Sequence, residues 1–452
     1  MSLPNRIAVI DIGKTNAKVV LISGGEQVAV RSTPNTVRTD GIYPHADVDR
    51  LWAFIRDSLA SLGAEHGLDG ISITTHGATA ALLRGDELAL PVLDYEHAGP
   101  EETSAAYGSA RPDFSETLSP RLPNGLNLGA QLFWLSRRFP EAFATVTDIL
   151  PYPQYWAWRL TGVKASEVTS LGCHTDLWAP DAGRLSSLVA REGWSNLFPP
   201  VAPAASVLGP LRPELAADLG LDTDTPVTCG IHDSNASLIP HLGAHETPFT
   251  IVSSGTWTIA MTVGGATGGL DPARDSLANV DAFGRPVPTA RFMGGREFDL
   301  LAPGATEPTA DEIARVIAAD VQVLPGFVSG VGPFPHRAGA WTVASDTLSS
   351  GERTAATSLY LALVTEAAIG LCGKGRSVTI EGPLARNRLY ASALAALLGL
   401  PVFASGDATG TSLGAAMLFD PAAAAAQAGA AVEPLAAQGF ADYAARWRTR
   451  IH

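Results

Sequence analysis

The sequence has few cysteines and no long uninterrupted apolar run. Its three cysteines, Cys173, Cys229 and Cys372, lie far apart in 452 residues, without the paired spacing of a disulfide framework or a thiolate zinc site. The longest apolar run, residues 391–404, is broken by a glycine and a proline and is shorter than the roughly 20 residues that a membrane-spanning helix needs. The N-terminal residues show no targeting pattern. We therefore expect a reduced, soluble, cytoplasmic protein with no membrane partner.

Positive charge is also scarce. The chain has 31 Lys and Arg residues against 45 Asp and Glu residues, which gives a formal net charge of −14. Binding to nucleic acid or to an anionic membrane would require a local basic patch, and the sequence shows no such cluster. It therefore predicts a small-molecule partner and no nucleic-acid partner.

The length and the order of the apolar segments favour two α/β domains. A chain of 452 residues exceeds the usual size of one domain, about 100–200 residues. Residues 6–31 have the pattern of a β-meander, and an amphipathic helix is predicted at Asp49–Glu65. The strand–turn–strand pattern returns at Pro248–Val263, which indicates an internal duplication. We predict domains at 1–240 and 241–452.

A carboxylate followed by a small polar turn ends the first predicted strand. In this segment, Asp11 to Asn16, backbone N–H groups of the turn can face a phosphate, and Asp11 can hold a hydrated Mg²⁺ ion. The Gly-Lys-Thr triplet within it is not a P-loop, because Ala8 occupies the place of the upstream glycine and a strand follows rather than a helix. The alternative is an ordinary hairpin turn with a capping Asp.

A second carboxylate follows a later strand. The segment Gly230 to Ala236 places Asp233 after the apolar strand Pro226–Cys229 and before a run of small residues. A side chain at the carboxyl end of such a strand usually faces a ligand site in an α/β domain, so Asp233 can remove a proton from a hydroxyl group. The alternative is that Asp233 only caps the helix that follows.

Two further segments are rich in small residues. Ser253 to Trp257 lies in the second β-meander, where Gly255 and the hydroxyl residues permit close approach of a phosphate. Glu381 to Asn387, followed by residues 406–410 and Leu413 to Ala416, could let an adenine lie against backbone. Taken singly, each is also consistent with a simple turn or with close helix packing.

In this order and at these separations, the four motifs closely resemble those of the FGGY carbohydrate kinases, members of the sugar kinase, heat-shock ATPase and actin superfamily. The similarity runs over nearly the whole chain. Ser253 to Trp257 and the pair His232-Asp233 are similar to the rhamnulokinase and fuculokinase branch. The resemblance implies an α/β fold of two duplicated actin-like ATPase (ribonuclease H-like) domains that flank a central catalytic cleft.

The resemblance also implies roles for individual residues. Asp233 would be the catalytic base, and Asp11 would position the metal ion. The residues expected to bind ATP are Gly13, Lys14, Thr15, Asn16, Ser254, Gly255, Thr256, Gly382, Pro383, Asn387, Thr409 and Gly410. The residues expected to contact the sugar are His76, Gly77, Ala78, Glu96, Gln131, His232 and Asp233.

The reaction implied is phosphorylation of a sugar hydroxyl by ATP with Mg²⁺, and the expected acceptor is a ketose such as L-rhamnulose, L-fuculose or xylulose. A homodimer is plausible. The sequence departs from the family pattern at Glu381-Gly382-Pro383, in place of a glycine triplet, at His76, and at Glu96-His97, in place of an Arg-Asp pair. Two alternatives stay open on the same fold: an ATPase, and a catalytically silent sugar or nucleotide sensor.

Overall fold

The computed structural model describes residues 3–405, 410–420 and 429–451. The strands are β1 (Arg6–Ile12), β2 (Asn16–Ser23), β3 (Glu26–Pro34), β4 (Val37–Arg38), β5 (His45–Ala46), β6 (Gly70–Thr75), β7 (Ala80–Arg84), β8 (Glu87–Leu90), β9 (Asp148–Pro151), β10 (Trp178–Ala179), β11 (Arg184–Leu185), β12 (Val207–Pro210), β13 (Pro226–Thr228), β14 (Ile231–His232), β15 (Phe249–Ser254), β16 (Thr258–Val263), β17 (Ser276–Val280), β18 (Pro286–Phe292), β19 (Val323–Leu324), β20 (Ala340–Trp341), β21 (Val378–Glu381), β22 (Val402–Ala404) and β23 (Ala430–Ala431).

The helices are α1 (Val48–His66), α2 (Ser104–Ala110), α3 (Phe114–Thr117), α4 (Leu128–Arg138), α5 (Pro140–Phe143), α6 (Tyr152–Thr161), α7 (Val168–Leu171), α8 (Ser187–Arg191), α9 (Pro213–Leu219), α10 (Asp233–Ala236), α11 (Ile239–Leu242), α12 (Gly294–Leu301), α13 (Ala310–Ala318), α14 (Ser350–Leu371), α15 (Arg388–Leu398), α16 (Thr411–Ala416) and α17 (Phe440–Ile451). Sheet and helix alternate along the chain, which confirms the predicted α/β class.

The described residues fall into two compact units. The first takes in residues 3–244, 278–286 and 410–420, and the second takes in 245–277, 287–405 and 429–451. The chain therefore passes from one unit to the other more than once. The contiguous division into 1–240 and 241–452 stays a prediction.

The main sheet of the first unit has the strand order β12-β13-β6-β1-β2-β3, and β14 pairs with β6. Strand β1 runs antiparallel to β2 and parallel to β6, while β14 is also parallel to β6. Strands β1 and β6 are almost entirely buried, as expected for the apolar centre of a sheet covered on both faces. The carboxyl ends of β1, β6 and β14 therefore lie at one edge of the sheet.

Helix α1 covers one face of this sheet, and the sequence explains both its ends and its buried side. Asp47 caps its N-terminus by accepting a hydrogen bond from Arg50 N, and Gly67, with φ 74°, follows its C-terminus. Apolar residues at a spacing of three or four put one buried stripe against the sheet; they are Leu51, Ile55, Leu59 and Leu62. The predicted helix Asp49–Glu65 is thus present, with one residue more at each end.

The sheet of the second unit repeats the same arrangement. Strand β15 runs antiparallel to β16 and parallel to β21, and the order continues on one side to β18 and on the other to β22 and β23. A hairpin followed by a parallel neighbour thus occupies the centre of both sheets. The internal duplication suggested by the two β-meanders is confirmed.

Helix α14 lies in the core of the second unit. Its length and composition alone would allow it to cross a membrane, but 83% of its most apolar window is buried inside the protein. It packs with α15 and with Trp447 of α17 in one apolar cluster. Residues 391–404, predicted to be the longest apolar run, are shorter than α14, whose apolar pattern is interrupted by scattered Thr and Ser residues.

Candidate functional site

The edge where β1, β6 and β14 end collects most of the polar residues singled out in the first unit. Thr75, the last residue of β6, is the register neighbour of Ile12 on one side and of His232 on the other. Asp11 therefore lies at the end of β1, His76 directly follows β6, and Asp233 directly follows β14. Ligands of open α/β sheets bind at such carboxyl ends.

The turn after Asp11 is a tight hairpin. Gly13 N donates to Asn16 O at 2.9 Å, and a Cβ atom on Gly13 would lie only 3.2 Å from that carbonyl oxygen. The side chain of Asn35 donates to Gly13 O at 2.8 Å and fixes the turn from outside. Thr15 and Asn16 are exposed, so the turn presents polar groups to solvent.

Asp11 is a half-buried carboxylate. Ser412, in α16, donates its hydroxyl hydrogen to Asp11 Oδ2 at 2.9 Å. Burial raises the pKa of Asp11, the nearby charge of Asp233 adds to that increase, and the Ser412 hydrogen bond and Lys18 oppose it. The two carboxylates are therefore close enough to interact electrostatically. A cation bound beside Asp11 would offset the free-energy cost of burying its negative charge.

Lys14 has acidic partners within the first unit. Its ammonium group pairs with Asp94 and lies 3.3 Å from Glu96 Oε2. It also lies 4.7 Å from the centre of the Tyr95 ring, a distance at which a cation is attracted to an aromatic face. The structure thus joins the predicted phosphate residue Lys14 to the predicted sugar contact Glu96.

His232 and Asp233 form the other half of this edge. His232 is 5% exposed, while the side chain of Asp233 is 31% exposed. His232 Nε2 lies 3.2 Å from Asp233 Oδ1, and Ser234 N donates to the same oxygen at 2.6 Å. Asp233 is therefore both anchored and open to solvent.

The predicted sugar contacts after β6 pack beside this pair. A Cβ atom on Gly77 would lie 2.5 Å from His232 Nε2, so only glycine allows the loop to pass the imidazole ring. Ala78 has φ 52°, a left-handed conformation that is unusual for a residue other than glycine. The rings of Tyr95 and Tyr152 lie 5.3 and 5.2 Å from that of His76, and burial lowers the pKa of His76.

Gln131 holds this loop from α4. The residue is 2% exposed, and its amide nitrogen donates to the carbonyl oxygens of Ala78 and Gly125, both at 2.5 Å. These bonds give Gln131 an evident structural role. Its contact with a sugar stays a prediction.

In the second unit, Ser254 joins the two predicted nucleotide motifs. Its hydroxyl donates to Glu381 O at 2.5 Å and accepts from Leu384 N at 2.9 Å. Gly382 has φ 78°, and a Cβ atom there would lie 2.0 Å from Ser254 O. Gly255 N donates to Trp257 O at 2.8 Å, so Thr256 stands at the tip of a tight turn.

A cavity of about 710 Å³ opens beside the second of these motifs. Pro383 and Asn387 line it, together with residues that the motifs did not indicate, among them Phe298, Thr354 and Val432. Its volume suits a drug-sized or nucleotide-sized ligand. The Asn387 side chain is held in place by Ser358 Oγ at 2.9 Å and caps α15.

Of the other predicted nucleotide residues, one lies elsewhere and one cannot be placed. Gly410 precedes α16 and belongs to the first unit, and Thr409 lies outside the described residues. Sequence reasoning did not single out Ser412, which bonds Asp11, or Asp94, which pairs with Lys14. Ser412 is a hydroxyl residue in the small-residue run Gly410 to Ala416, a signal that could have indicated it.

The residues present fit a magnesium site of the open kind. Among the residues that the structure describes, no cluster of three or more His, Cys, Asp or Glu side chains could enclose a metal ion. Mg²⁺ usually binds through one or two carboxylates and keeps its remaining ligands as water and substrate phosphate. Asp11, with a raised pKa and with Asp233 nearby, supplies that kind of anchor.

The chain is similar over its length to known sugar kinases. Residues 6–240 match the FGGY family of carbohydrate kinases, N-terminal domain, and residues 246–428 match the carbohydrate kinase FGGY, C-terminal domain. A carbohydrate kinase from Novosphingobium aromaticivorans has a crystal structure that superposes with a TM-score of 0.92 at 37% identity, covering 100% of this chain and 99% of that one.

Two curated relatives from Escherichia coli (strain K12) are similar over a shorter span. A xylulose kinase is 26% identical over 248 residues, 51% of this chain and 49% of the relative. An L-fuculokinase is 26% identical over 272 residues, 56% of each chain. The chain thus spans about half the length of the curated relatives it matches.

Proposed function

Because the chain belongs to the FGGY family of carbohydrate kinases, we propose that it phosphorylates a hydroxyl group of a ketose at the expense of ATP, with Asp233 as general base. The observation that carries the proposal is the common edge of β1, β6 and β14. At this edge a candidate metal carboxylate, Asp11, and a solvent-accessible carboxylate, Asp233, lie at the ends of two strands that both pair with β6 in the first unit.

Asp233 has the geometry of a proton acceptor. Its Oδ1 atom accepts from Ser234 and faces His232, whereas no hydrogen bond to Oδ2 is found among the described residues. Oδ2 is therefore available to accept the proton of a sugar hydroxyl as that oxygen attacks the terminal phosphorus of ATP. Phosphoryl transfer needs mainly alignment and charge stabilisation from the protein, and proton removal by a placed base adds about 10²–10⁴ in rate.

Asp11 would hold Mg²⁺, which when bound neutralises phosphate charge. Ser412 fixes the carboxylate of Asp11, and the exposed turn of Gly13 to Asn16 offers backbone N–H groups and hydroxyls to phosphate oxygens. Ser254, Gly255 and Thr256 would do the same in the second unit.

The second unit would bind the adenosine part of ATP in its cavity of about 710 Å³. Pro383 and Asn387 are the predicted nucleotide residues that line this cavity, and Gly382 permits the close approach of their turn to Ser254. The mainly apolar wall suits a purine base, as in most ligand pockets.

The acceptor would be held by residues of the first unit. His76, Gly77 and Ala78 lie on the loop that follows β6, where Gly77 passes the ring of His232. Glu96 lies on the loop that follows β8, beside Lys14. Relatives named xylulose kinase and L-fuculokinase support a ketose, and L-rhamnulose, L-fuculose and xylulose are the first substrates to examine. The charged side chains of Lys14, Asp94 and Glu96 would recognise the arrangement of hydroxyl groups on the sugar.

The test is ADP release with Mg²⁺-ATP across a panel of ketoses, pentitols and glycerol, for the wild type, Asp233→Asn and the exposed control Asp57→Asn. We expect one ketose to stimulate the wild type and Asp57→Asn equally, and Asp233→Asn to lose at least about 100-fold in kcat. ADP release that no sugar stimulates would favour an ATPase. Nucleotide binding without turnover would favour a silent sensor, and either result would overturn the proposal.

A further inference from the structure

The imidazole ring of His232 is held between two groups that accept hydrogen bonds. His232 Nδ1 lies 2.5 Å from Asn235 Oδ1, and His232 Nε2 lies 3.2 Å from Asp233 Oδ1. The ring is buried, and the backbone N–H of His232 donates to Thr169 Oγ1 at 3.0 Å. Its position is therefore fixed from three sides.

The orientation of the Asn235 amide follows from its other partner. Asn235 Nδ2 donates to the carbonyl oxygen of Val280. Since a carbonyl oxygen can only accept, a flipped amide would place two acceptors against each other. Asn235 Oδ1 must therefore face His232, and Nδ1 of His232 must carry a hydrogen.

The second ring nitrogen has the same requirement. Nε2 of His232 lies 3.2 Å from an oxygen of the Asp233 carboxylate, so a neutral ring with its single hydrogen on Nδ1 would bring the Nε2 lone pair close to a negatively charged oxygen. Only the imidazolium form has hydrogens on both nitrogens. That form pairs a positively charged ring with Oδ1 of Asp233, while no hydrogen bond to Oδ2 is found among the described residues.

We propose that His232 is a positioning residue: as an imidazolium fixed by Asn235, it holds Oδ1 of Asp233 so that Oδ2 is the oxygen presented to the sugar hydroxyl. The inference rests on the proposed function for the role of Asp233. The charged state of His232 itself does not depend on which substrate the enzyme uses.

The charged surroundings of His232 are consistent with this state. Burial favours the neutral ring, yet Cys173 and Asp233 outweigh it and raise the pKa of His232 to about 10. Burial likewise opposes ionisation of Cys173, but His174 and His232 lower the pKa of its thiol to about 5.

The charge of His232 also affects the pKa values of two further groups, Glu167 and His76. Burial raises the pKa of Glu167 to about 7, and His232 limits this increase. Burial lowers the pKa of His76, and the charge of His232 lowers it further. Thr169 donates its hydroxyl hydrogen to Glu167 and accepts from the backbone N–H of His232, so this carboxylate supports the backbone of His232 through one intermediate residue.

The kinetic test compares two substitutions of His232. His232→Gln keeps an amide donor at the end of the side chain, while His232→Met has similar length and no donor. We expect His232→Met to lower kcat about 100-fold, the cost of a misplaced reacting group, with the sugar KM changed less than threefold. His232→Gln should recover at least about tenfold of that loss. Equal loss in both variants, or a loss confined to KM, would overturn the positioning role.

A spectroscopic test is independent of activity. Long-range ¹H–¹⁵N NMR of the wild-type protein labelled at its 10 histidines reports the hydrogens on each ring nitrogen, and His232→Gln, or comparison with Asn235→Asp, assigns His232. We expect both nitrogens to carry hydrogen from pH 6 to pH 8. A bare nitrogen at pH 7 would overturn the proposal even if a ketose is phosphorylated, whereas an imidazolium without any sugar turnover would refute only the proposed function.

Discussion

The ion-pair partners of Lys14 differ from those that its place in the sequence predicts. Its place after Gly13 resembles a phosphate-binding turn, but its ammonium group pairs with Asp94 and Glu96 in the first unit. Sequence spacing indicates which residues are close along the chain, and it cannot show that the loop after β8 brings two carboxylates to the same lysine. The residue that seemed to belong to the nucleotide therefore also borders the predicted sugar contacts.

Substituting Lys14 separates these two roles. We expect Lys14→Met to raise the KM for the sugar about tenfold, equivalent to about 1.4 kcal/mol, because Glu96 loses the cation that orients it. The KM for ATP should change less than threefold. Steady-state kinetics with each substrate varied in turn measures both, with the exposed Lys374→Met as control. An increase only in the KM for ATP would assign Lys14 to phosphate instead.

The raised pKa of His232 predicts how stability depends on pH. The pKa rises from an ordinary 6.5 to about 10 in the folded protein, so the protonated ring stabilises the fold fully below pH 6.5 and this contribution is lost as the pH rises towards 10. Because the Cys173 thiol titrates together with the ring, the comparison is made in a Cys173→Ser background, where the free energy of unfolding should fall, relative to that of Cys173→Ser with His232→Gln, as the pH rises above 6.5. Denaturant unfolding at fixed pH values measures the difference, and a constant difference would contradict the prediction.

At the scale of secondary structure, the backbone of α16 packs against that of α10, whose first residue is Asp233. A Cβ atom on Gly414 would lie 1.9 Å from the carbonyl oxygen of Ala236, and Ser412 of the same helix bonds Asp11. One short helix thus supports both carboxylates of the first unit. The small residues around Gly414 were noted in the sequence as close packing or adenine contact, and the structure shows the close packing.

Gly414→Ala should therefore disturb the site through packing alone. We expect a loss of about 1–3 kcal/mol in stability, typical of overpacking, together with at least a tenfold lower kcat because α10 must shift. Gly108→Ala, on α2 with no atom within 4 Å of the added Cβ, is the control and should be neutral or stabilising by up to about 1 kcal/mol. Thermal unfolding and steady-state kinetics of both variants measure these effects. Equal stability and equal kcat in the two variants would show that the close packing of α10 on α16 is not needed for the site.

Element predictions succeeded where the apolar pattern was regular. Both ends of helix α1 lie within one residue of the predicted range Asp49–Glu65. The partners of His232, by contrast, could not be predicted, because Thr169 and Cys173 are distant in sequence and meet it only through the fold.

At the scale of the whole molecule, the two units share a sheet plan and differ in the chemistry at the end of their strands. The first carries charged residues, including Asp11, Lys14 and Asp233, and the second carries a largely apolar cavity. A duplicated fold of this kind was predictable from the repeated β-meander and the four motifs. The wall of the cavity was not, because residues from several separate segments form it.

This division predicts which unit each substrate protects from hydrogen exchange. ADP alone should slow exchange in residues 378–392 of the second unit, and an effective ketose alone should slow it in residues 70–80 and 226–236 of the first, since ligands stabilise the segments that bind them. Mass spectrometry of peptides from the wild type measures both, with glycerol as a control for the ketose. Protection of the second unit alone by the ketose would contradict the assignment of the sugar to the first unit.

The most direct test of the central claim is ³¹P NMR of the products formed from ATP, Mg²⁺ and the effective ketose. The wild type should convert the terminal phosphate of ATP into a sugar phosphate ester, and Asp233→Asn should form that ester at least about 100-fold more slowly while still binding ATP. If the wild type released inorganic phosphate in place of an ester, or if Asp233→Asn formed the ester at the wild-type rate, the account of Asp233 as the base of a sugar kinase would be wrong.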